Sequence, residues 1–459
     1  MKLIIKENSK NYACSVVEIK NLFPIEEADK IQRCNINGND VIVSKDIKVG
    51  DKMLYFVSGT KLNVDFCKFN NLLTDKEQNK DVTKVGYISH KQFRVKAIKL
   101  KGVISDGILL PINSLEAFNK HFNYNSLKVG DEFTDIGDIS VCEKYFVPVR
   151  NSNPGGKAPK QPKRISRLVE NQFFLHGDTD NLRKNIHKIN PNDIIGIHYK
   201  KHGTSIVVGN VLVKKNLKWY ERFAKKLGIN IIDTEYDVVY SSRNVVKNQY
   251  LNEQTGGGFY GEDIWGVVTK QIGHLIPKNW TLYGEIIGYT QSGAYIQQDF
   301  DYGCEKGQHK FYVYKISVVN PDGNVTYLTD KQIQEYCEKV GLLYKDTFIY
   351  YGKAKNYFDY AESSGGKYAE LTEKDNLSYT NAELWRKNFL THLEELHNEK
   401  DCYMCVNKVP EEGIVLRVEK LYEYEAYKLK SKRFLLKESD LQEKEVSNIE
   451  DNQTIKENA

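Results

Sequence analysis

The chain has 459 residues, of which 40% are hydrophobic and 28% are charged. This composition is typical of soluble globular proteins, and the length exceeds one ordinary core, so we expect two or three domains. The net charge of +5 is compatible with a polyanionic partner but does not require one. No apolar run is long enough to span a bilayer, and residues 1–7 lack a secretory signal, so we expect a cytoplasmic protein that does not bind membranes.

Residues 1–147 contain short apolar runs separated by turn signals. Strands are predicted at 12–19, 41–44, 52–57 and 93–100, with a hairpin at Asn37-Gly38. Lys-Val-Gly-Asp occurs at 48–51 and again at 128–131, each time as a turn beside an apolar run. In the last strand, alternation predicts that Arg94, Lys96 and Lys99 lie on or near exposed faces. We predict an OB-like β-barrel that binds nucleic acid; a β-domain used only for packing is the alternative.

Composition divides the remaining chain into three segments. Residues 148–164 hold four of the ten prolines and several basic residues, which predicts a mobile basic linker. Residues 165–437 are strand-rich, with amphipathic helices predicted at 330–340 and 381–399. Residues 438–459 are acidic, without aromatic residues or glycine, and are predicted to be disordered. The apolar residues of the second helix are predicted to be core residues: Leu384, Trp385, Phe389, Leu390, Leu393 and Leu396.

The eight cysteines are scattered along the chain, as is usual for reduced cytosolic thiols. Cys402 and Cys405 form a CxxC pair, but no second pair completes a four-ligand zinc site. His392 and His397 lie nearby in sequence. We assign neither a metal nor another role to this pair.

The most informative segment is the turn Lys200-Lys201-His202-Gly203, which follows the apolar run at 194–199. A lysine at the end of a strand, shortly before a turn glycine, is placed where an amine could attack the α-phosphate of a nucleotide. Taken alone, the pattern is weak, and an ordinary surface lysine before a turn is the better interpretation. Four later segments strengthen the chemical interpretation. They are Ser242-Arg243-Asn244, Tyr283-Gly284-Glu285, Phe311-Tyr312-Val313-Tyr314, and the pair Glu412-Gly413-Ile414-Val415 with Lys428-Leu429-Lys430.

In this order the segments resemble the motifs of the covalent nucleotidyltransferase superfamily, which contains polynucleotide ligases and mRNA capping enzymes. Within it, residues 1–435 are most similar to ATP-dependent RNA ligases with an OB domain before the catalytic domain. The resemblance implies an α+β protein, in which an OB-like barrel (1–147) precedes a nucleotidyltransferase domain (165–437) of ATP-grasp-like antiparallel sheets plus helices. His202 stands where most of the superfamily has aspartate. We interpret this departure as a mark of the RNA ligase branch.

The resemblance also implies roles for individual residues. Lys200 would be the nucleophile, with Lys428 and Lys430 as catalytic cations, and Glu285 and Glu412 would hold Mg²⁺ or Mn²⁺ partly through water. Glu411 is an alternative register for Glu412, Tyr312 is an alternative to Phe311 for stacking the base, and residues 176–179 could touch adenine or ribose. The nucleotide, ATP, would contact His202, Gly203, Arg243, Glu285, Phe311, Lys428 and Lys430.

A lysine amine is mostly protonated at neutral pH, so a nucleophilic lysine needs an environment that favours the neutral form. We expect partial burial and the cations of Lys201, Lys428 and Lys430 to provide it. The predicted function is an RNA ligase that acts, as a monomer, on RNA or nicked RNA/DNA duplexes. The alternatives are a DNA ligase, a GTP-dependent capping enzyme, or a nucleic-acid-binding protein without catalytic activity.

Overall fold

The computed structural model describes residues 2–119, 123–147, 167–247, 262–344, 348–357 and 382–444. The linker predicted at 148–164 lies outside these ranges, as does most of the tail predicted at 438–459. Among the described residues, no helix combines the length and apolar composition that crossing a membrane requires.

The N-terminal part consists of short antiparallel strands around two hydrophobic clusters. Strand β6 is buried on both faces, because Leu54 and Phe56 enter one cluster while Met53 and Tyr55 enter the other. The strands of this part are β1 (Leu3–Ile4), β2 (Cys14–Glu18), β3 (Phe23–Pro24), β4 (Ile31–Ile36), β5 (Asn39–Ser44), β6 (Lys52–Phe56), β7 (Thr60–Leu62), β8 (Ala97–Leu100), β9 (Val103–Asp106), β10 (Ile108–Pro111), β11 (Glu132–Phe133), β12 (Asp135–Ile136), β13 (Ile139–Ser140) and β14 (Cys142–Lys144).

The turns predicted from sequence in this part are present. The Asn-Gly pair at 37–38 joins β4 to β5. In the two Lys-Val-Gly-Asp segments, Gly50 and Gly130 adopt φ of 94° and 97°, a region that favours glycine. The carboxylates of Asp51 and Asp131 each accept a 2.8 Å hydrogen bond from the backbone N–H of the lysine three residues earlier. Identical sequences therefore form the same turn twice.

The C-terminal part contains two five-stranded sheets. Sheet 1 has the order β15-β24-β23-β16-β22, and sheet 2 has the order β18-β17-β19-β20-β21; all pairs are antiparallel except β15 with β24. Their strands are β15 (Asp180–Asn181), β16 (Ile194–Tyr199), β17 (Thr204–Lys214), β18 (Thr234–Ser242), β19 (Trp280–Gly288), β20 (His309–Val319), β21 (Val325–Tyr327), β22 (Phe348–Lys353), β23 (Gly413–Glu419) and β24 (Tyr424–Lys430).

Helices cover one face of each sheet. The described α-helices are α1 (Val64–Phe69), α2 (Leu182–Asn185), α3 (Trp219–Lys226), α4 (Ile264–Ile272), α5 (Asp330–Val340), α6 (Ala382–Glu395) and α7 (Lys432–Glu443). Helix α5 has the predicted bounds, because Thr329 and Gln332 form a capping box at its start and Gly341 ends it in the left-handed region. Residues of α4 and α5 join the core of sheet 2, and residues of α6 join the core of sheet 1.

Helix α6 is shorter than the predicted 381–399, and most of its predicted core residues are correct. Trp385, Phe389, Leu390 and Leu393 are buried against sheet 1, and Leu396 is partly buried against the same cluster. Leu384 was wrongly predicted as core, because its side chain is 38% exposed. It precedes Trp385 by one residue and therefore lies about 100° around the helix from it.

Helix α7 corrects two predictions made from sequence. The helix continues to Glu443, so the segment predicted to be disordered from 438 begins inside an ordered helix that packs on the N-terminal part. Arg94, predicted to be exposed, is only 1% exposed because its guanidinium donates to the Ser439 carbonyl and to Gln442 Oε1, both at 2.9 Å. Residues 445–459 lie outside the described ranges.

Candidate active site

Lys200 lies where the chain passes from one sheet to the other. Strand β16 of sheet 1 ends at Tyr199, and β17 of sheet 2 begins at Thr204, so the predicted turn bridges the two sheets. The backbone N–H of Lys200 donates to the Gly413 carbonyl at 2.8 Å. A cavity of about 250 Å³ opens beside this turn and is lined by residues of both sheets, together with Tyr12 and Lys144 of the N-terminal part.

The side chain of Lys200 is paired with a carboxylate. Its Nζ lies 2.8 Å from Glu412 Oε1, and the side chain keeps 27% of its surface exposed. Burial lowers the pKa of Lys200, but the Glu412 and Glu285 carboxylates outweigh it, so the pKa is raised above its usual value. Burial and the charge of Lys430 act in the expected direction, but the expected net result, a pKa that favours the neutral amine, was wrong. Lys201, another of the expected cations, is buried and its Nζ contacts Tyr403 and Met404.

Gly203 allows the turn to approach sheet 2. Its backbone N–H donates to Glu285 Oε1 at 3.1 Å. A Cβ at this position would lie 2.2 Å from the Ile286 carbonyl oxygen, which is too close for any side chain. Glycine is therefore required for close packing here, and Gly203 is placed to position the turn against β19.

Glu412 is the carboxylate that faces Lys200. It is 3% exposed, and its Oε2 has no hydrogen-bond partner among the described residues. Glu411, the alternative register, is also buried, but it does not line the cavity, and burial raises its pKa to about 8. The geometry therefore favours Glu412 over Glu411 as the site carboxylate.

The two lysines of β24 line the same cavity, as their alternation with Leu429 predicts. Lys430 Nζ lies 2.7 Å from Glu438 Oε1 on α7. Lys428 forms no ion pair with a described residue, and burial together with the charge of Lys430 lowers its pKa well below the usual value. Both side chains are placed to receive a negatively charged group, and an arriving phosphate would favour the charged form of Lys428.

His202 is held in an aromatic pocket. Its ring meets Phe300 and Phe434 edge-on, with centroids 4.9 and 5.0 Å apart. Its backbone N–H donates to the Tyr302 hydroxyl at 2.5 Å. Burial lowers the pKa of His202, so the ring is neutral at pH 7. An aspartate here would place a carboxylate between two phenyl rings, which gives a physical reason for the histidine.

Arg243 lines the cavity and forms an ion pair with Asp178. The sequence segment 176–179 therefore reaches the site, and His176 packs against Tyr314 with ring centroids 5.3 Å apart. Asp178 belongs to the segment that was expected to touch adenine or ribose, and it lines the cavity. Its ion pair with Arg243 was not predicted, because the two residues are 65 positions apart in the chain.

Phe311, predicted to stack on the base, does not line the cavity. It is buried with Val313 in the cluster between sheet 2 and its helices, because alternation along β20 turns these two side chains toward the helices. Tyr312 points to the opposite face and Tyr314 follows at a bulge, and both line the cavity. Tyr314 is half-buried, with its hydroxyl 3.3 Å from Ser205 Oγ.

A metal ion would find few protein ligands in this cavity. Among the described residues, no group of three or more His, Cys, Asp or Glu side chains is arranged to hold one. Glu412, with its unpartnered Oε2, and Glu285 are the carboxylates that fit such an ion. This donor set suits an ion that keeps several waters or shares phosphate oxygens, as Mg²⁺ does.

Comparisons with known proteins agree with this architecture. Residues 13–112 match a family described as an OB-fold domain. A mutant of Naegleria gruberi RNA ligase with ATP and Mn superposes with a TM-score of 0.54 at 17% identity, covering 92% of this chain and 98% of that one. The same ligase with PPi gives 0.54 at 18% identity, covering 95% and 100%. A search of curated proteins finds no match.

The chain has the fold of an RNA ligase. At this identity, the likeness establishes the architecture, an α+β protein with an N-terminal OB-fold domain followed by two sheets and their helices. The fold that the resemblance implied, an OB-like domain before antiparallel sheets with helices, is thus confirmed.

Proposed function

We propose that the protein is an ATP-dependent RNA ligase that joins a 3′-hydroxyl RNA end to a 5′-phosphate end. One observation carries the proposal. Lys200 lies beside Glu412 in a cavity that also presents Lys428 and Lys430, within the fold of an RNA ligase. Two structures of Naegleria gruberi RNA ligase mutants contain ATP or AMP with Mn, which supports the same nucleotide and a divalent cation here.

The proposed reaction has three transfers. The Lys200 amine attacks the α-phosphorus of ATP, so that an N–P bond forms, pyrophosphate leaves and the amine loses its proton. The 5′-phosphate of the polynucleotide then takes the AMP group from Lys200. The 3′-hydroxyl finally attacks that activated phosphate, forming the phosphodiester and releasing AMP. Covalent transfer divides one difficult displacement into easier steps.

The surrounding residues supply charge and position. Lys428 and Lys430 would stabilise the charge that develops on the phosphates during transfer. Arg243, held by Asp178, and the backbone of Gly203 would orient the nucleotide. His202, neutral and enclosed by two phenyl rings, would hold the turn that carries Lys200.

Glu412 and Glu285 are the proposed carboxylates for Mg²⁺ or Mn²⁺. A bound divalent cation would neutralise phosphate charge and polarise the α-phosphate. Glu412 also sets the protonation of Lys200, because its charge favours the ammonium form. Neutralising that carboxylate would therefore favour the free amine that attack requires.

The polynucleotide is proposed to be RNA, or an RNA/DNA duplex with a nick. The OB-fold domain supports this, since such domains often bind nucleic acid, and Tyr12 and Lys144 of the N-terminal part line the same cavity. We propose that this domain holds the duplex against the site.

The proposal is tested by incubating the protein with labelled ATP or GTP and resolving it on a denaturing gel. Label from ATP, mapped to the peptide containing Lys200, is expected. Label from GTP alone would favour a capping enzyme, and no label with retained RNA binding would favour a non-catalytic protein. Nicked duplexes with an RNA or a DNA 3′ end then separate an RNA ligase from a DNA ligase.

A further inference from the structure

Lys315, on β20, is a buried lysine that the reaction described above does not use. It lines the cavity, yet the residue is only 6% exposed to solvent. Its Nζ lies 3.5 Å from the ring centroid of Tyr283, and the rings of Tyr327 and Tyr424 follow at 5.4 and 5.9 Å. No described residue accepts a hydrogen bond from it or forms an ion pair with it.

The other charged groups at this end of the cavity are paired with one another. Asp330 Oδ2 lies 2.7 Å from His198 Nε2, and Asp330 Oδ1 lies 3.7 Å from an Arg417 nitrogen. Arg417 Nε also lies 3.4 Å from Glu419 Oε1. The carboxylates of Asp330 and Glu419 are therefore paired with His198 and Arg417. Neither is paired with Lys315, which faces the cavity.

A lysine in this setting is costly for the folded state. Burying an ammonium group without a carboxylate or hydrogen-bond acceptor disfavours its charged form, and aromatic faces offset only part of that cost. Burial lowers the pKa of Lys315 to about 7, and the Arg417 charge acts in the same direction. A group kept at such a cost, aimed into a cavity, is suited to meet an acceptor that arrives with a ligand.

The position of Lys315 suits the base of a nucleotide. On β20 it pairs with Tyr283, two residues along β19 from Glu285, which corresponds to about 7 Å. Glu285 marks the end of the cavity at the Lys200 turn. Between the two ends, Val415 and Ala426 of sheet 1 and Tyr314 of sheet 2 line the cavity. Apolar and aromatic walls of this kind suit a flat heteroaromatic ring.

We propose that Lys315 determines base recognition by donating a hydrogen bond from Nζ to an acceptor on the edge of the purine. The inference rests on the proposed function in that it takes the nucleotide to bind with its α-phosphate at Lys200. Phe311, which was expected to contact the base, lies in the core, and Lys315 supplies a contact that the sequence motifs did not indicate.

The test measures nucleotide binding by equilibrium dialysis in a Lys200→Ala background, so that no covalent step intervenes. Lys315→Met is compared with Lys278→Met, a lysine that contacts the Tyr236 ring outside the cavity. The ligands are ATP and its 1-deaza, 3-deaza and 7-deaza analogues, each lacking one ring acceptor. Lys315→Met is expected to bind ATP about tenfold more weakly, as for a lost hydrogen bond to a charged donor, and Lys278→Met is expected to bind as before.

In the Lys200→Ala background, one deaza analogue is expected to bind about tenfold more weakly than ATP. In the protein that also carries Lys315→Met, that analogue and ATP should bind equally, because the analogue and the substitution remove the same contact. Unchanged ATP binding by Lys315→Met, or additive losses with all three analogues, overturns the inference. Lys315→Gln, a shorter donor, should give an intermediate loss and serves as the second variant.

The outcome separates this inference from the proposed function. Dialysis that gives the expected pattern, with no covalent label on the unmodified protein, supports the base contact and rejects the ligase chemistry. Covalent label on Lys200, combined with additive losses of affinity for all three analogues, supports the ligase chemistry and rejects the base contact. A protein that binds no nucleotide rejects both.

Discussion

The Nζ atom of Lys200 lies 2.8 Å from Oε1 of Glu412, and both residues sit at the ends of neighbouring strands in sheet 1. The pair places the proposed nucleophile and the proposed metal carboxylate in direct contact. It also favours the ammonium form of Lys200, because the carboxylate raises its pKa. Activation of the amine therefore requires that the charge of Glu412 be compensated by another cation.

Replacing Lys200 with alanine should abolish covalent labelling by ATP, because no other described lysine lies against Glu412. Nucleotide binding should persist, since Lys428, Arg243 and the cavity walls remain. Gel labelling and dialysis measure the two effects. Lys214→Ala, an exposed lysine at the far end of β17, is the control and should label normally. Residual label on Lys200→Ala would place the nucleophile elsewhere.

Glu412→Gln should reduce the rate of labelling by about 10²-fold, the scale of losing one group that stabilises the transition state, because losing the proposed metal carboxylate outweighs the gain in free Lys200 amine. Excess Mg²⁺ or Mn²⁺ should restore little of the rate. Glu411→Gln is the matched control, because this buried neighbour does not line the cavity. Rates of labelling across a metal titration provide the measurement. Equal losses in the two variants would argue against a specific role for Glu412.

Phe311→Leu and Tyr314→Leu should separate stability from nucleotide binding. Phe311 is buried in the core of sheet 2, so its replacement should lower the free energy of unfolding by about 1 kcal/mol or more and change nucleotide affinity little. Tyr314 lines the cavity, so its replacement should weaken ATP binding with a smaller effect on stability. Urea unfolding measures the stability of the two variants, and equilibrium dialysis measures their affinity for ATP. Weakened binding by Phe311→Leu alone would restore the original assignment.

The stability of the protein should depend on Lys315 and on pH. Its pKa is lowered to about 7 in the folded protein from 10.5, so between these values the unfolded chain binds more protons than the folded one. Stability should therefore rise with pH in this window, relative to Lys315→Met, by at most about 1.4 kcal/mol per pH unit. Below about pH 7 the penalty is complete, and the variant should be the more stable protein. Urea unfolding at pH 7, 8 and 9 provides the measurement. An equal difference in unfolding free energy between the two proteins at all three pH values would contradict the prediction.

Arg94→Ala should weaken the contact between the OB-fold domain and α7. The variant loses two hydrogen bonds, to Ser439 and Gln442, in a fully packed position. We expect a lower melting temperature and a larger loss in end joining than in lysine labelling, because this domain is proposed to hold the duplex during joining. Lys99→Ala, exposed on the neighbouring strand, is the control. Equal losses in labelling and joining would indicate a purely structural contact.

Local patterns were sufficient for much of this protein. The capping box and the terminal glycine of α5 act within a few residues, so its bounds could be predicted. The same holds for the two Lys-Val-Gly-Asp turns and for the alternation that places Lys428 and Lys430 on one face of β24. The order of the short motifs indicated the fold through its resemblance to the covalent nucleotidyltransferase superfamily.

Other features depended on which strands and helices meet. The sequence could not show that Glu412 raises the pKa of Lys200, that α7 buries Arg94, or that β20 turns Phe311 into the core. Burial and charge pairing are set by neighbours from distant parts of the chain, and period-two alternation does not say which face of a doubly buried strand meets a cavity. The sequence by itself therefore determined the elements and the motif order, while the packing of the two sheets decided which side chains share the site.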